Sequence, residues 1–460
     1  MEVRSKRHGR VRVPFDCEKG MPHTEAIVKG IRVDMCGEDW PRPKDTGLKI
    51  SGLLLHKLKL VRYTPWLLQE ISTRLNIPSS YTAEDYTLDK MNVDTLIVGG
   101  GTSGIFALRR TKGLLIANDL ETDVLLDPMT ETSDLANTVK QTLKSESSRI
   151  LKGDFLGKFS EGYLLRVERR LILVNPSKII FATGGRYLPP IFEGNDLPHV
   201  ISRRLYLRRR KRYNKVLVLG SSDDAVRTAI VAKGKVLTPE GVKLFSRRGL
   251  ELIEEHGVEV EEVKWLRVKA KSESLEATWD KGQGKFDAIV FSPVKQPRVE
   301  PIANSGCAYK FYPNMGIYLP EHDMDGYMKE CNHYVTGGGR GIWWEELSAL
   351  SGTTPFDPEA VQQLKEGLKE TTLRQYYTND FITVKSPYLY GEGGYMCLCE
   401  DVTYEDIMEV VRKGYVDVEA IKRTTGLATG MCQGKACSYI AGSVTRSNSL
   451  ITFRSPLLTM

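Results

Sequence analysis

No apolar run in this 460-residue chain approaches the roughly 18 residues that a membrane span requires. The opening residues, MEVRSKRHGRVRV, lack the apolar stretch of a signal peptide. These absences set the expectation of a cytoplasmic protein, with peripheral membrane attachment as the alternative. Histidine is scarce. The seven are scattered, and His56, His256 and His333 read as packed or surface side chains rather than as a proton-transfer or metal centre. No other acid–base constellation stands out, so no catalytic residue is assigned. The net charge of +7 is mild for this length and gives no reason to expect nucleic acid. The densest basic run, RRLYLRRRKRYNK from Arg203 to Lys215, has no nucleic-acid module beside it and reads as a solvated linker face.

What the chain does have is cysteine in a pattern. Cys397 and Cys399 form C-x-C; after 32 residues Cys432 and Cys437 form C-x₄-C. Four thiolates in two tight pairs are the ligand set of a small iron–sulfur cluster. A structural zinc site is the main competitor, but zinc pairs usually hold two to four residues between cysteines, and C-x-C is tight for that. The surrounding residues predict short helices. Thr403 caps one that begins at Tyr404, with Asp406 completing a capping box and Gly414 ending it. Asp417 caps a second, which Gly426 ends, and Cys432 and Cys437 flank the start of a third. Amides at a helix start favour thiolates and an anionic cluster. The other cysteines, Cys17, Cys36, Cys307 and Cys331, have no close spacing.

Two strand–glycine–helix units lie upstream. In VDTLIVGGGTSGIFALRR, Gly99, Gly101 and Gly104 follow a buried strand directly. They allow a tight turn, close approach to a pyrophosphate, and close helix–strand packing. Thr102 and Ser103 then open the helix, whose free N–H groups face the phosphates. TDVLLD is expected to be the second strand, with Asp127 at its end accepting from an adenosine ribose. Asp127 falls 28 residues after Gly99, which implies an extended helix or turn. The second unit is KVLVLGSSDDAVRTAIVAKG. There Asp223 and Asp224 stand at the helix start and would repel a pyrophosphate, so this unit reads as a structural, non-binding echo. SKIIFATGGRYLPP, with Thr183 and Gly184, reads as a strand running into a glycine turn; NHYVTGGGRGIWWEE, with Gly337 and Gly338, reads as strand, glycine turn and helix.

These segments together resemble the two-dinucleotide-binding-domain flavoproteins, an α/β class with a Rossmann-like FAD/NAD(P)-type core. The resemblance divides the chain into an N-terminal region of uncertain fold (1–90), a first dinucleotide-binding domain (91–195 and 325–385), and a second (196–324). A small helical [2Fe-2S] domain (396–460) completes it. Segments 190–215 and 380–395 read as linkers or crossings. The late strand of such proteins normally ends in Gly-Asp, whose carboxylate holds the ribityl chain of FAD; here Gly338 replaces the aspartate. Losing such a contact typically costs about 1.5–3 kcal/mol. The first site is therefore open to FAD or to another adenine nucleotide such as ATP. No C-x₄-C redox pair accompanies the first unit, which excludes the dithiol chemistry of reductases with this fold.

The order of parts, ending in C-x-C…C-Q-G-x-x-C, resembles the α subunit of heteromeric amine and amino-acid dehydrogenases and oxidases. That group includes dye-linked L-proline dehydrogenase, heterotetrameric sarcosine oxidase and hydrogen cyanide synthase. The terminal segment resembles the bacterioferritin-associated-ferredoxin-like [2Fe-2S] domain. The resemblance implies a β subunit carrying FAD and the substrate site, further small subunits, FMN at the subunit interface, and a downstream electron acceptor. The competing expectation is a self-contained NAD(P)H-dependent flavoprotein reductase with a ferredoxin-like tail.

Overall fold

The computed structural model describes residues 86–271, 274–371, 373, 384–430 and 432–457, together with the paired strands Glu25–Val28 and Ile31–Asp34. The helix expected around Trp66–Leu75, His56, and the side chains of Cys17 and Cys36 lie outside the described residues.

Two parallel sheets form the body. In the first, Thr95–Val98 lies between Lys178–Phe181 and Leu114–Ala117. His333–Val335 and Ile150–Lys152 extend it on the two sides, and the short Tyr327–Met328 pairs antiparallel at one edge. All four residues of Thr95–Val98 are buried, as expected of a parallel strand covered on both faces. A four-stranded sheet of Thr87–Met91, Arg170–Val174, Gly162–Val167 and Asp154–Phe159 packs beside it. In the second parallel sheet the order is Val200–Ser202, Ala288–Phe291, Val216–Leu219, Lys235–Thr238, Val260–Glu262. A three-stranded meander from Leu266 to Phe286 follows it. This is the two-unit α/β architecture that the glycine pattern predicts.

TDVLLD is not a strand. The second strand is Leu114–Ala117, and Asp123–Leu126 is a single helical turn that follows Thr122. The apolar run LLIA enters the sheet at once because Gly113 lies against the first strand; a Cβ there would stand 2.4 Å from the Thr95 carbonyl oxygen. The 384–395 segment is not a loose linker either. Tyr388 and Tyr390 are fully buried, and Glu240 Oε1 accepts the backbone N–H groups of Lys385 and Ser386. Asn195 clasps Tyr395 through its carboxamide, accepting from N–H at 2.9 Å and donating to C=O at 2.8 Å.

The C-terminal domain is built from caps. Thr403 and Asp406 form the reciprocal capping box of Tyr404–Arg412, and the Asp417 side chain accepts from the amides of Glu419 and Ala420 at the start of Val418–Thr425. Gly426 ends that helix in the left-handed conformation. The third helix, Cys437–Thr445, docks on the body through Tyr318. The Tyr318 hydroxyl donates to the Ser447 carbonyl at 2.6 Å, and a Cβ on Gly442 would stand 2.1 Å from the phenol oxygen. Burial of a tyrosine ring of this kind contributes roughly 2 kcal/mol and fixes how the cysteine domain faces the sheets.

Cys307 and Cys331 are joined by a disulfide. Their separation of 24 residues concealed the pairing, which comes from tertiary folding that brings the two Cα atoms to 5.0 Å.

Candidate functional site: a cavity from the glycine turn to the cysteine domain

Gly99 leaves its strand with φ +117°, and a Cβ there would collide with the Ala182 carbonyl oxygen at 2.2 Å. A Cβ on Gly104 would stand 2.1 Å from the Gly99 carbonyl oxygen, so these two glycines close the helix Thr102–Arg110 onto the sheet. Gly101 differs. It is the residue before that helix, and a Cβ there would meet nothing within 4 Å. The space over it is part of a cavity of about 760 Å³. Gly184, with φ +66°, also has open space over it on the same wall.

The sequence-predicted residues Gly99, Gly101, Thr102, Ser103, Thr183 and Gly184 all line this cavity, as do Gly338 and Cys432. Gly337, φ +56°, lies instead against Ser103 and donates its N–H to Ser351 Oγ. Gly338 sits beneath Trp343, whose ring would be 2.7 Å from an added Cβ. The space an aspartate would need there is filled by the indole. The cradle fits the phosphate-bearing part of an adenine nucleotide, while a Gly-Asp contact to a ribityl chain has neither its carboxylate nor room for one.

Asp127 does not reach the cavity. It is fully buried, bonded to the Arg203 guanidinium and paired with Arg227 at 2.5 Å. The second strand ends instead at Asn118 and Asp119, which line the cavity. Asp119 lies twenty positions after Gly99, the usual spacing for a ribose acceptor. Its carboxylate is paired with Arg204 and Arg208, each at 2.9 Å, and these cations hold its pKa low against the opposing effect of burial. The basic run is therefore not a solvated linker: Arg203 is 1% exposed, and Arg204, Arg208 and Arg209 form part of the cavity wall.

Glu345 was not legible as a site residue. It opens the helix Glu345–Thr353, lines the cavity, and accepts a 2.5 Å hydrogen bond from Thr102 Oγ1 across the two helix starts. Burial, aided by the charge of Asp123, pushes its pKa up to about 7.

The second glycine turn is closed. Asp223 accepts from the Ser246 amide at 2.9 Å and from Trp344 Nε1 at 2.8 Å. Asp224 is bonded to Lys295 at 3.0 Å and to the Tyr187 hydroxyl at 2.8 Å. Lys295 also reaches Asp123 at 2.8 Å. The acids expected to repel a phosphate instead tie the second unit to the first.

At the far side of the cavity the four cysteines are unbridged. Cys397 faces Cys437, and Cys399 faces Cys432, each as a thiol–thiolate hydrogen-bonded pair. Those partners lower Cys397 to about 6 and Cys432 to about 7, and raise Cys399 and Cys437. Backbone amides reinforce the lowered pair: those of Ala428, Glu400 and Cys399 point to Cys397, and those of Lys435 and Gly434 to Cys432. Ala428, Gln433 and Gly434 have positive φ, which turns these N–H groups inward. Among the described residues no three His, Cys, Asp or Glu side chains converge as they would round one metal ion. Two facing pairs suit a cluster of two irons with two cysteines each, and the residues fit a [2Fe-2S] cluster.

Residues 395–440 match the BFD-like [2Fe-2S] binding domain, and the chain carries that domain. No curated protein matches the chain by sequence. Among solved structures, L-proline dehydrogenase from P. horikoshii aligns over 83% of this chain and 81% of its own, at 23% identity and a TM-score of 0.58. Thioredoxin reductase from T. acidophilum aligns over 60% of this chain and 99% of its own, at 12% identity and a TM-score of 0.45. The class is thus a two-dinucleotide-binding α/β fold of the flavoprotein oxidoreductase type, ending in a [2Fe-2S] domain. Both the domain match and the shared fold accord with the resemblance drawn from the cysteine pattern. No helix among the described residues is long and apolar enough to cross a membrane.

Proposed function

We propose that this chain is the electron-transferring α subunit of a heteromeric amine or amino-acid dehydrogenase of the proline or sarcosine type. The observation that carries this reading is the continuity of the cavity, whose walls include both Gly101 and Cys432. A cofactor seated at the glycine turn and a cluster held by the four cysteines would share one enclosed space. When bound, the cluster supplies single-electron steps to a partner flavin that works in pairs of electrons.

The chain's own residues have limited tasks in this scheme. The start of Thr102–Arg110 would bind a pyrophosphate or polyphosphate with its free amides. Asn118 and Asp119 would take the ribose. The backbone N–H groups at Cys397 and Cys432 would hold negative charge on the sulfurs and tune the cluster potential. FAD or ATP would occupy the first site; the filled space at Gly338 favours a ligand without a ribityl chain there, such as ATP. FMN would lie at the contact with a β subunit, which would carry FAD and the substrate site and pass electrons through this chain to an acceptor.

No described residue is assigned to substrate chemistry, which accords with a substrate site on another subunit. The reading of a self-contained NAD(P)H reductase is disfavoured by the closed second turn, where Asp223 and Asp224 are already engaged. Purification of the native complex tests the proposal. A flavoprotein partner should co-purify and bring dye-linked oxidation of proline or sarcosine, while the isolated chain keeps cluster absorbance and adenine nucleotide without that activity. Oxidation of either substrate by the isolated chain would sink the proposal.

A further inference from the structure

Where the cavity meets the cysteine domain, its wall includes Arg186, Arg298, Glu300 and Lys435. Lys435 is the central residue of C-Q-G-K-A-C. It is only 5% exposed, and its ammonium makes no hydrogen bond or ion pair with the described residues. The charges that act on it are Glu300, Arg186, Cys432 and Arg298. The Glu300 carboxylate is already bonded to Arg186. This wall therefore sets three cations against one carboxylate, in a place where water is scarce. A buried ammonium without a partner is costly, and a cation kept in that state on a cavity wall is matched by an anion that enters the cavity.

We propose that this wall is a second anion subsite, separate from the glycine turn, which takes a phosphate group on Lys435. Phosphate is the class the chemistry favours: it carries more charge than a carboxylate and presents several acceptor oxygens to a compact ammonium. Two sources would bring it. One is the distal phosphate of the nucleotide seated at Gly101; the other is a separate phosphate ester bound alongside that nucleotide. The inference rests on the cavity being a cofactor site, as proposed above.

Calorimetric titration of the full chain, purified with its cluster, tests it with inorganic phosphate and ADP as probes. Phosphate should saturate the wild type. Lys435→Gln should weaken it at least tenfold, and Lys435→Arg should recover most of the loss. Displacement of phosphate by ADP assigns it to the nucleotide's own tail; simultaneous binding assigns it to a separate ester. Phosphate should also protect Lys435 of the wild type from a small acylating reagent, mapped by mass spectrometry, a readout that needs no variant to fold. The idea is overturned if phosphate does not saturate the wild type. It is equally overturned if Lys435→Gln binds phosphate like the wild type while its cluster becomes harder to reduce, since Lys435 would then only balance the charge of the cluster. Lys435-dependent phosphate binding without any ADP binding would sink the nucleotide reading and leave this subsite standing.

Discussion

A methyl group added to Gly101, at the first turn, would meet nothing within 4 Å; one added to Gly220, at the second, would stand 2.1 Å from the Ser292 carbonyl oxygen. The two turns follow strands of equal length and the same burial, Thr95–Val98 and Val216–Leu219, and lead into helices of similar length. What separates them is the residues at the helix start. Thr102 and Ser103 are small and leave a space that a ligand can enter. Asp223 and Asp224 are acids, and Ser246, Trp344 and Lys295 satisfy them from neighbouring elements. One copy of the architecture is kept as a site and the other as scaffold, at the cost of burying charges that must stay paired.

The harshest test of that contrast is Lys295→Met. It removes the ammonium shared by Asp123 and Asp224 and leaves two buried carboxylates short of a partner, so a loss of about 3–5 kcal/mol in unfolding free energy is expected from urea melts. A loss below about 1 kcal/mol would mean that the second turn is not held shut by this pair.

Glu345 and Asp224 should divide the two turns by pH. The folded pKa of Glu345, about 7, lies above its ordinary 4.5. Its contribution is thus fully present below about 4.5 and is lost as pH rises through 7, on the order of 3 kcal/mol in the nucleotide-free protein. Glu345→Gln should abolish that slope in unfolding midpoints taken between pH 5 and 8. Burial opposes the ionised form of Asp224, yet Lys295, Arg203 and Arg227 bring it down to about 2 from 3.8. Its contribution is present above about 4 and lost only as pH falls towards 2. An unchanged slope in Glu345→Gln would remove Glu345 from the open turn.

Gly220→Ala should cost about 2–3 kcal/mol through its collision with backbone, while the folded protein keeps its ADP affinity. Gly101→Val is the reciprocal variant. It should lower ADP affinity at least tenfold, about 1.4 kcal/mol, and leave thermal stability nearly unchanged. Equal ADP binding by the Gly101 variant and the wild type would erase the distinction between the turns.

Local signals in the chain were those whose physics is local. The capping box of Thr403 and Asp406, the cap at Asp417 and the glycine stop at Gly426 each depend on residues within one helical turn, and each is present as read. The strand before Gly99 was legible for the same reason. The assignment of Asp127 to the end of the second strand failed because TDVLL and LLIA are both short apolar runs, and periodicity over four residues does not separate a strand from a helical turn. The spacing of twenty positions to Asp119 was the signal that could have decided it.

By itself the sequence determined the four cluster cysteines, their capped helices, the open first glycine turn, and the two-unit α/β plan, because spacing, capping and backbone conformation act between near neighbours. Only the tertiary structure decided that Asp127 pairs with Arg203 and Arg227, that Cys307 meets Cys331, and that Tyr318 docks on Gly442. It also decided that Lys435 and Cys432 share a cavity with Gly101. Each of these joins residues far apart in the chain, and their contacts follow from how two sheets and a small helical domain pack, which no local pattern encodes.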